Sequence, residues 1–422
     1  VAVPEQAIIN EAHERGMVVP NRKQRLTDED TSAAGAYVAY PKKGLHDWIG
    51  SIDINSLYPS AIRALNMGNE TIVGQLRPTM TDHMIKTKMN KGSSFAMAWE
   101  GLFASIEYTR VMEQDISTEI TIDWADGTYD VKSAAQIYKM IFDSNKQWIL
   151  SANGTIFRYD IEAVVPGLLK RWYAERKQLQ AKMREAKDEK DRAFWDKRQL
   201  VKKINLNSLY GAILNPGCRF FDKRIGQSTT LTGRTITKHM DAYVNECMTG
   251  TYDHMGKAII YGDTDSAYFS VWPVIRKDVE EGSMKWDKNL CTQLYDKISS
   301  QTSDSFPEFM KKAFHSPYGD LIQCGREVVA TKGLFITKKR YALLVYDQEG
   351  RRFDTEGEQG KTKVMGLDLK RSDTPKVMQD FLKEVLDDVL LGANKQQTIE
   401  KILKFKHEFT NRPGWEKGTP KR

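Results

Sequence analysis

The sequence predicts an α+β fold, with strands and helices grouped along the chain rather than alternating. Two observations carry this. Ile259-Ile260 and Ala267-Tyr268-Phe269 flank the turn-forming run Gly262-Asp263-Thr264-Asp265, the pattern of an antiparallel hairpin. Two long, charged segments of helical period, 166–187 and 192–214, follow one another with a short connection and read as a helical hairpin.

The elements follow in order. Ala7 to His13 suits a short helix, and the polar run from Asn21 to Gly35 a turn-rich stretch. Tyr37 to Tyr40 reads as a short strand closed by Pro41 and Gly44. Ile49 to Leu57 alternates and meets Tyr58-Pro59; the residue before a proline is driven to an extended form, so a strand is expected to end near Tyr58. Ser60 then caps a helix running to Leu65. Within 75–150, Ile120 to Trp124 and Thr128 to Val131 flank the hairpin signal Asp126-Gly127, and Ser133 to Phe142 is helical. This stretch shows no chemistry and reads as a small accessory insertion. Pro166 suits the first turn of the first long helix, and Pro216-Gly217 ends the second. Tyr341 to Tyr346 is a further strand, and from Asp373 to Asn411 the pattern is helical. The tail from Arg412 is irregular and basic.

The 422 residues allow about three domains at roughly 150 each. No apolar run approaches the roughly 18 residues that a membrane helix needs, so no membrane partner is expected. The four cysteines are scattered and form no CxxC pair, which argues against zinc ribbons and disulfide scaffolds and fits a reducing cytoplasm. Lys and Arg exceed Asp and Glu by 63 − 56 = +7. The segment Lys170–Lys203 alone holds 13 basic and 6 acidic residues, again +7. Such a local patch is the footprint of phosphate binding, or else a solvated helix face laced with ion pairs.

Four groups of residues can carry chemistry. Tyr261-Gly262-Asp263-Thr264-Asp265-Ser266 puts two carboxylates at a hairpin tip, on one face by strand alternation; they are hard oxygen ligands suited to Mg²⁺, or simply the residues turns prefer. Asp53-Ile54-Asn55-Ser56-Leu57-Tyr58-Pro59-Ser60 ends an apolar strand on a carboxylate, and the amides of Ser56 and Leu57 can cradle a phosphate. In Lys203-Ile204-Asn205-Leu206-Asn207-Ser208-Leu209-Tyr210-Gly211, helical spacing puts Lys203, Asn207 and Tyr210 on one face, with Arg176 on the partner helix. Lys338-Lys339-Arg340-Tyr341 opens a strand with three cations, which suits a phosphate backbone.

Together, and in this order, these motifs resemble the family B (α-like) DNA polymerases, most nearly the replicative enzymes of large tailed bacteriophages. The resemblance runs from about Val18 to the C-terminus. It implies a right-hand fold with an antiparallel-sheet palm, a two-helix fingers hairpin and a partial helical thumb. The expected boundaries are a leading segment 1–44, palm 45–162 with an insertion at about 90–150, fingers 163–212, palm 213–365, and the start of a thumb from 366 to 422. No editing exonuclease domain is expected in this chain; Asp160-Ile161-Glu162 imitates an exonuclease motif but abuts the fingers and reads as palm surface.

The implied reaction is template-directed addition of dNTPs to a primer 3′-OH by two Mg²⁺ ions, for which Mn²⁺ can substitute. Asp53 and Asp265 would hold the metals with the carbonyl of Ile54, Asp263 being less central and Glu327 adjacent. Ser56, Leu57, Arg176, Lys203 and Asn207 would grip the triphosphate. Tyr58 would stack beneath the sugar and reject a 2′-hydroxyl, and Tyr210 and Gly211 would face the nascent base pair. Lys338, Lys339, Arg340 and Tyr341 would hold primer–template DNA. Family members often carry a second Lys one turn after the fingers Arg; here that position is Gln180, with Lys177 or Lys182 nearby to compensate.

Implied partners are primer–template DNA and dNTPs, with a sliding clamp or a separate thumb or exonuclease chain as further candidates, acting in a bacterial host cytoplasm if phage-encoded. Three alternatives remain at this stage: a DxD glycosyltransferase, a scaffold or fragment that binds primer–template but needs a missing thumb or partner chain, and a natural split polymerase. The glycosyltransferase leaves the basic helical hairpin, Tyr58-Pro59 and the Lys-Lys-Arg-Tyr run unexplained.

Overall fold

The computed structural model describes residues 2–22, 35–77, 112–355 and 357–419. Its strands are β1 (Gly44–Ile54), β2 (Ile72–Leu76), β3 (Glu119–Trp124), β4 (Tyr129–Ser133), β5 (Trp148–Leu150), β6 (Thr155–Arg158), β7 (Ile259–Asp263), β8 (Ser266–Ser270), β9 (Cys324–Thr337), β10 (Arg340–Gln348), β11 (Arg351–Arg352) and β12 (Lys361–Met365). Its helices are α1 (Ala2–Glu14), α2 (Leu57–Ala64), α3 (Ala134–Phe142), α4 (Val164–Glu185), α5 (Glu189–Ile213), α6 (Lys223–Thr249), α7 (Trp272–Glu280), α8 (Lys288–Phe314), α9 (Lys376–Leu390), α10 (Lys395–Asn411) and the short α11 (Gly414–Lys417). The described chain forms two compact units, one from residues within 1–36, 54–236 and 303–323, the other from 37–53, 237–302 and 324–422.

In the first unit, β2 to β6 form a five-stranded antiparallel sheet in the order β4-β3-β2-β6-β5. The expected insertion is therefore built into a sheet: β3 pairs directly with β2, which follows α2 in sequence. Residues 90–111 of that insertion lie outside the described residues. The Ser133–Gln136 capping box opens α3, which buries Ile137 and Ile141. Helices α4 and α5 form the expected hairpin. Its base is braced by α1, where Arg171 pairs with Glu11 at 2.7 Å.

One side chain joins α2 to the start of α4. Asn66 Nδ2 donates to the carbonyls of Arg158 and Ile161 at 2.9 and 2.8 Å, and its Oδ1 accepts the Ala163 amide at 3.0 Å. Its φ of 49° is one that asparagine tolerates better than most residues.

In the second unit, the sheet order is β11-β10-β9-β1-β8-β7, with β12 also pairing β10. β1 pairs antiparallel with β8, from Ile49 opposite Ser270 to Asp53 opposite Ser266. The rings of Tyr261, Tyr268, Phe335 and Tyr341 pack on one face, with centroids 5.1 to 6.0 Å apart. Ile49, Val328 and Leu343 complete that cluster. Against β10, Ala342 and Leu344 meet Leu386 and Leu390 of α9. Each fully buried Leu, Ile, Val or Phe side chain contributes about 1.5–3 kcal/mol, and β10 is paired along both edges.

Several boundaries differ from the sequence expectation. Tyr37 to Tyr40 is not a strand; Val38 makes a single bridge to Asp263. β1 ends at Ile54, and Tyr58-Pro59 lies in the first turn of α2, where a proline without an N–H is harmless. Ser56, with φ 51°, stands at the helix start, while Ser60 lies inside the helix and its hydroxyl donates to the Asn55 carbonyl at 3.0 Å. The region after Asp373 is two helices, α9 and α10.

Candidate active site

The second unit brings together Asp53, Asp263, Asp265, Glu327 and the Lys338–Tyr341 segment. Asp53 reaches the end of β1 because Ile49 and Ile52 are buried in the sheet and fix its register. Its Oδ1 accepts a hydrogen bond from Ser266 Oγ at 3.0 Å. Asp263 closes β7 and pairs with Ser266, leaving Thr264 and Asp265 as a two-residue turn. The two carboxylates are thus placed by a turn rather than by strand alternation. Asp263 is engaged: Tyr261 Oη donates to it at 3.2 Å, and Lys339 Nζ lies 3.5 Å away. Glu327, on β9, pairs with Lys363 at 2.7 Å.

Burial and like charge dominate the electrostatics. Burial, then the charges of Asp265 and Glu327, push the Asp53 carboxyl up to about 7, against the Ser266 hydrogen bond and Lys363. Burial also raises Asp265, with Asp263 and Glu327 adding to it. Hard oxygen donors whose ionised forms repel one another fit a divalent cation, which removes the penalty by binding. Among the described residues no three His, Cys, Asp or Glu side chains converge on one point. A cation here would take one or two carboxylates and complete its shell from backbone oxygen, water and substrate, as Mg²⁺ commonly does.

Lys338 and Lys339 form the turn between β9 and β10, with Lys339 at φ 59° and its amide donating to Tyr261 Oη at 2.9 Å. Lys338 Nζ lies 4.1 Å from the ring centre of the exposed Tyr40. Tyr341 is 3% exposed, and its hydroxyl pairs with that of Tyr268 at 2.7 Å, so its ring belongs to the aromatic core behind this turn.

The first unit brings together Tyr58 and Tyr210. Their rings lie 4.5 Å apart, and the Tyr210 hydroxyl meets Thr230 Oγ1 on α6. A Cβ on Gly233 would stand 2.9 Å from Tyr58 Cε1, so only glycine lets that ring lie against the helix. Lys203, Asn207 and Gly211 are exposed along α5, and a Cβ at Gly211 would meet nothing within 4 Å. Arg176 Nε donates to Gln199 Oε1 at 3.2 Å. Lys177 and Lys182, which flank Gln180, sit over the rings of Tyr173 and Trp195 at 4.9 and 4.8 Å. Ile54, the last residue of β1, and the amides of Ser56 and Leu57 also fall in this unit, at the opening of α2, where the first N–H groups have no intrahelical acceptor.

Sequence reasoning missed Thr230, Gly233 and Lys363. A glycine inside a helix is a readable signal for Gly233. Lys363 and Glu327 are 36 residues apart, and no local pattern links them.

Comparison with known proteins identifies similar sequences. The model of DNA polymerase family B matches residues 3–413. The chain is 27% identical to the DNA-directed DNA polymerase of Escherichia phage RB69 over 91% of its own length and 43% of that relative. It is also 27% identical to the DNA-directed DNA polymerase of Enterobacteria phage T4, over 95% and 45%. Its identity to DNA polymerase 1 of Pyrococcus abyssi is 23%, over 94% and 37%. The chain spans less than half the length of these curated relatives.

Proposed function

Because the chain belongs to DNA polymerase family B, we propose that it adds dNTPs to the 3′-OH of a primer under the direction of a template. The observation that carries this reading is the half-buried carboxylate pair, Asp53 beside the β7–β8 turn that bears Asp265. Asp53 and Asp265, with the Ile54 carbonyl, would hold two Mg²⁺ ions, or Mn²⁺. Such ions, when bound, activate the attacking 3′-oxygen and take up charge on the leaving pyrophosphate.

The chain's own groups do the rest. Arg176, Lys203, Asn207 and the Ser56 and Leu57 amides bind the triphosphate by charge-assisted hydrogen bonds. Tyr58 excludes a 2′-hydroxyl by collision. Tyr210 and the bare face at Gly211 border the nascent base pair. Lys338, Lys339 and Arg340 hold the primer–template backbone, and Asp263 and Glu327 support the metal-binding pair. In this reading 45–162 and 213–365 are palm, 163–212 fingers, and 366–422 thumb.

A second reading is DNA binding without turnover until another polypeptide joins. One observation favours it: α10 buries none of its residues and exposes Ile399, Ile402 and Leu403.

The test is Asp265→Ala. Mg²⁺-dependent incorporation should fall by at least about 100-fold, the scale of losing a preorganised charge-stabilising group, while primer–template affinity stays within about twofold. Undiminished incorporation by that variant contradicts the assignment.

A further inference from the structure

The turn that carries Asp265 is strained. Thr264 has φ 55°, and the Asp265 amide donates to the Asp263 carbonyl at 2.6 Å. A hydrogen bond between residues two apart, around a central residue of positive φ, is the rare and strained form of the γ-turn. A β-branched residue there is a genuine outlier and persists only where its surroundings over-determine it. Glycine would adopt this φ freely, so the turn needs an external hold.

Two groups supply it. The Thr264 amide donates to the Tyr37 carbonyl at 2.8 Å. On the other side, Thr237 Oγ1 donates to the Thr264 carbonyl at 2.6 Å. Thr237 lies in α6, and Asp241, one turn further on, also faces the hairpin. A Cβ on Gly262 would stand 2.9 Å from Asp241 Oδ2, so glycine is what lets the strand approach that carboxyl. Asp241 is fully buried, and among the described residues neither of its oxygens has a hydrogen-bond partner. A helix thus presses a hydroxyl and a carboxyl against the back of the turn from which Asp265 projects.

We propose that Thr237, backed by Asp241 one turn along α6, is a positioning residue for the carboxylate pair: its hydroxyl holds the Thr264 carbonyl and so fixes the strained turn that aims Asp265. Its catalytic consequence rests on the polymerase reading given above; its effect on cation binding does not. Without the hydroxyl the turn relaxes toward unstrained backbone and Asp265 leaves its position, while the triphosphate-binding groups of α4 and α5 keep their own geometry.

The experiment uses the full chain with Thr237→Val, which keeps shape and loses the donor, and Thr237→Ser, which restores the donor. Mn²⁺ binding is titrated by electron paramagnetic resonance without DNA or nucleotide, melting is followed by circular dichroism, and single-nucleotide incorporation gives kcat and KM. Thr237→Val should weaken Mn²⁺ binding by about 3–10-fold, the worth of one hydrogen bond. It should lower kcat by a similar factor and leave the KM for dNTP and the melting temperature near those of the parent. Thr237→Ser should recover both losses. If Thr237→Val melts early, Thr237→Ala takes its place in the same comparison.

Mn²⁺ affinity in Thr237→Val equal to that of the parent overturns the proposal, as does a loss that Thr237→Ser fails to restore. Absence of extension by the parent chain counts against the polymerase reading alone, because the Mn²⁺ titration still decides the role of Thr237.

Discussion

Tyr58 is held from two sides, by the Tyr210 ring at 4.5 Å and by the bare backbone of Gly233. A ring so fixed cannot swing away from a larger sugar. The proposed exclusion of ribonucleotides therefore rests on packing rather than on hydrogen bonding to substrate. Tyr58→Ala should raise incorporation of ribonucleotides relative to deoxyribonucleotides by about 10–100-fold, the range for one extra group in a shaped pocket. The ratio of kcat/KM for a matched pair such as ATP and dATP measures this. An unchanged ratio assigns the exclusion to another residue.

At the scale of elements, the most informative join is Asn66, which links α2 to the segment that opens α4 through three hydrogen bonds. Asn66→Ala strands the buried Ala163 amide and two partly buried carbonyls and should destabilise the fold by about 2–3 kcal/mol. Urea denaturation is the check, and a change under about 0.5 kcal/mol, the range of ordinary surface substitutions, contradicts the role given to it. The hairpin signals and the period of α4 and α5 were legible because they are local. Helix α6 was not. Its run Ser228-Thr229-Thr230-Leu231-Thr232 has weak helix propensity, and the hydroxyls of Thr229 and Thr230 turn back to the Ile225 and Gly226 carbonyls at 2.8 and 3.1 Å. The burial of Tyr341 was not legible, because a strand opening on three cations suggests an exposed edge. The strand is instead covered on both faces, by the aromatic cluster and by α9. The motif residues were legible as a set of types in order. The strain at Thr264 and the groups behind it were not, since contacts to residues 27 positions away leave no pattern in the chain.

For the molecule as a whole, titration of buried groups sets the response to acid. Burial holds the His239 imidazole down at about 3, against an ordinary 6.5, with Nδ1 beside the Tyr252 hydroxyl at 2.7 Å. Above pH 6.5 both folded and unfolded states are neutral there and the residue adds no pH dependence. Below it the unfolded chain takes up a proton that the folded chain refuses, so stability falls as pH drops toward 3, by about 1.4 kcal/mol per unit. Asp241 acts in the opposite sense. Burial raises its carboxyl, so its contribution is complete below 3.8 and is lost as pH rises through the raised folded value. The His239 effect is isolated by comparing the parent with His239→Phe. Relative to that variant, the parent should lose about 2 kcal/mol between pH 6.5 and 5 and nothing between pH 8 and 7. Parallel curves contradict a neutral buried imidazole.

The reaction proposed for this chain is template-directed nucleotide addition through its carboxylate pair. The most direct measurement is extension of a labelled primer on a defined template, with Mg²⁺ and each dNTP supplied singly, by the parent and by Asp53→Asn. The parent should add only the nucleotide complementary to the template base, and Asp53→Asn should bind the same primer–template but add nothing. Addition that ignores the template, or extension by Asp53→Asn at the parent's rate, would contradict it.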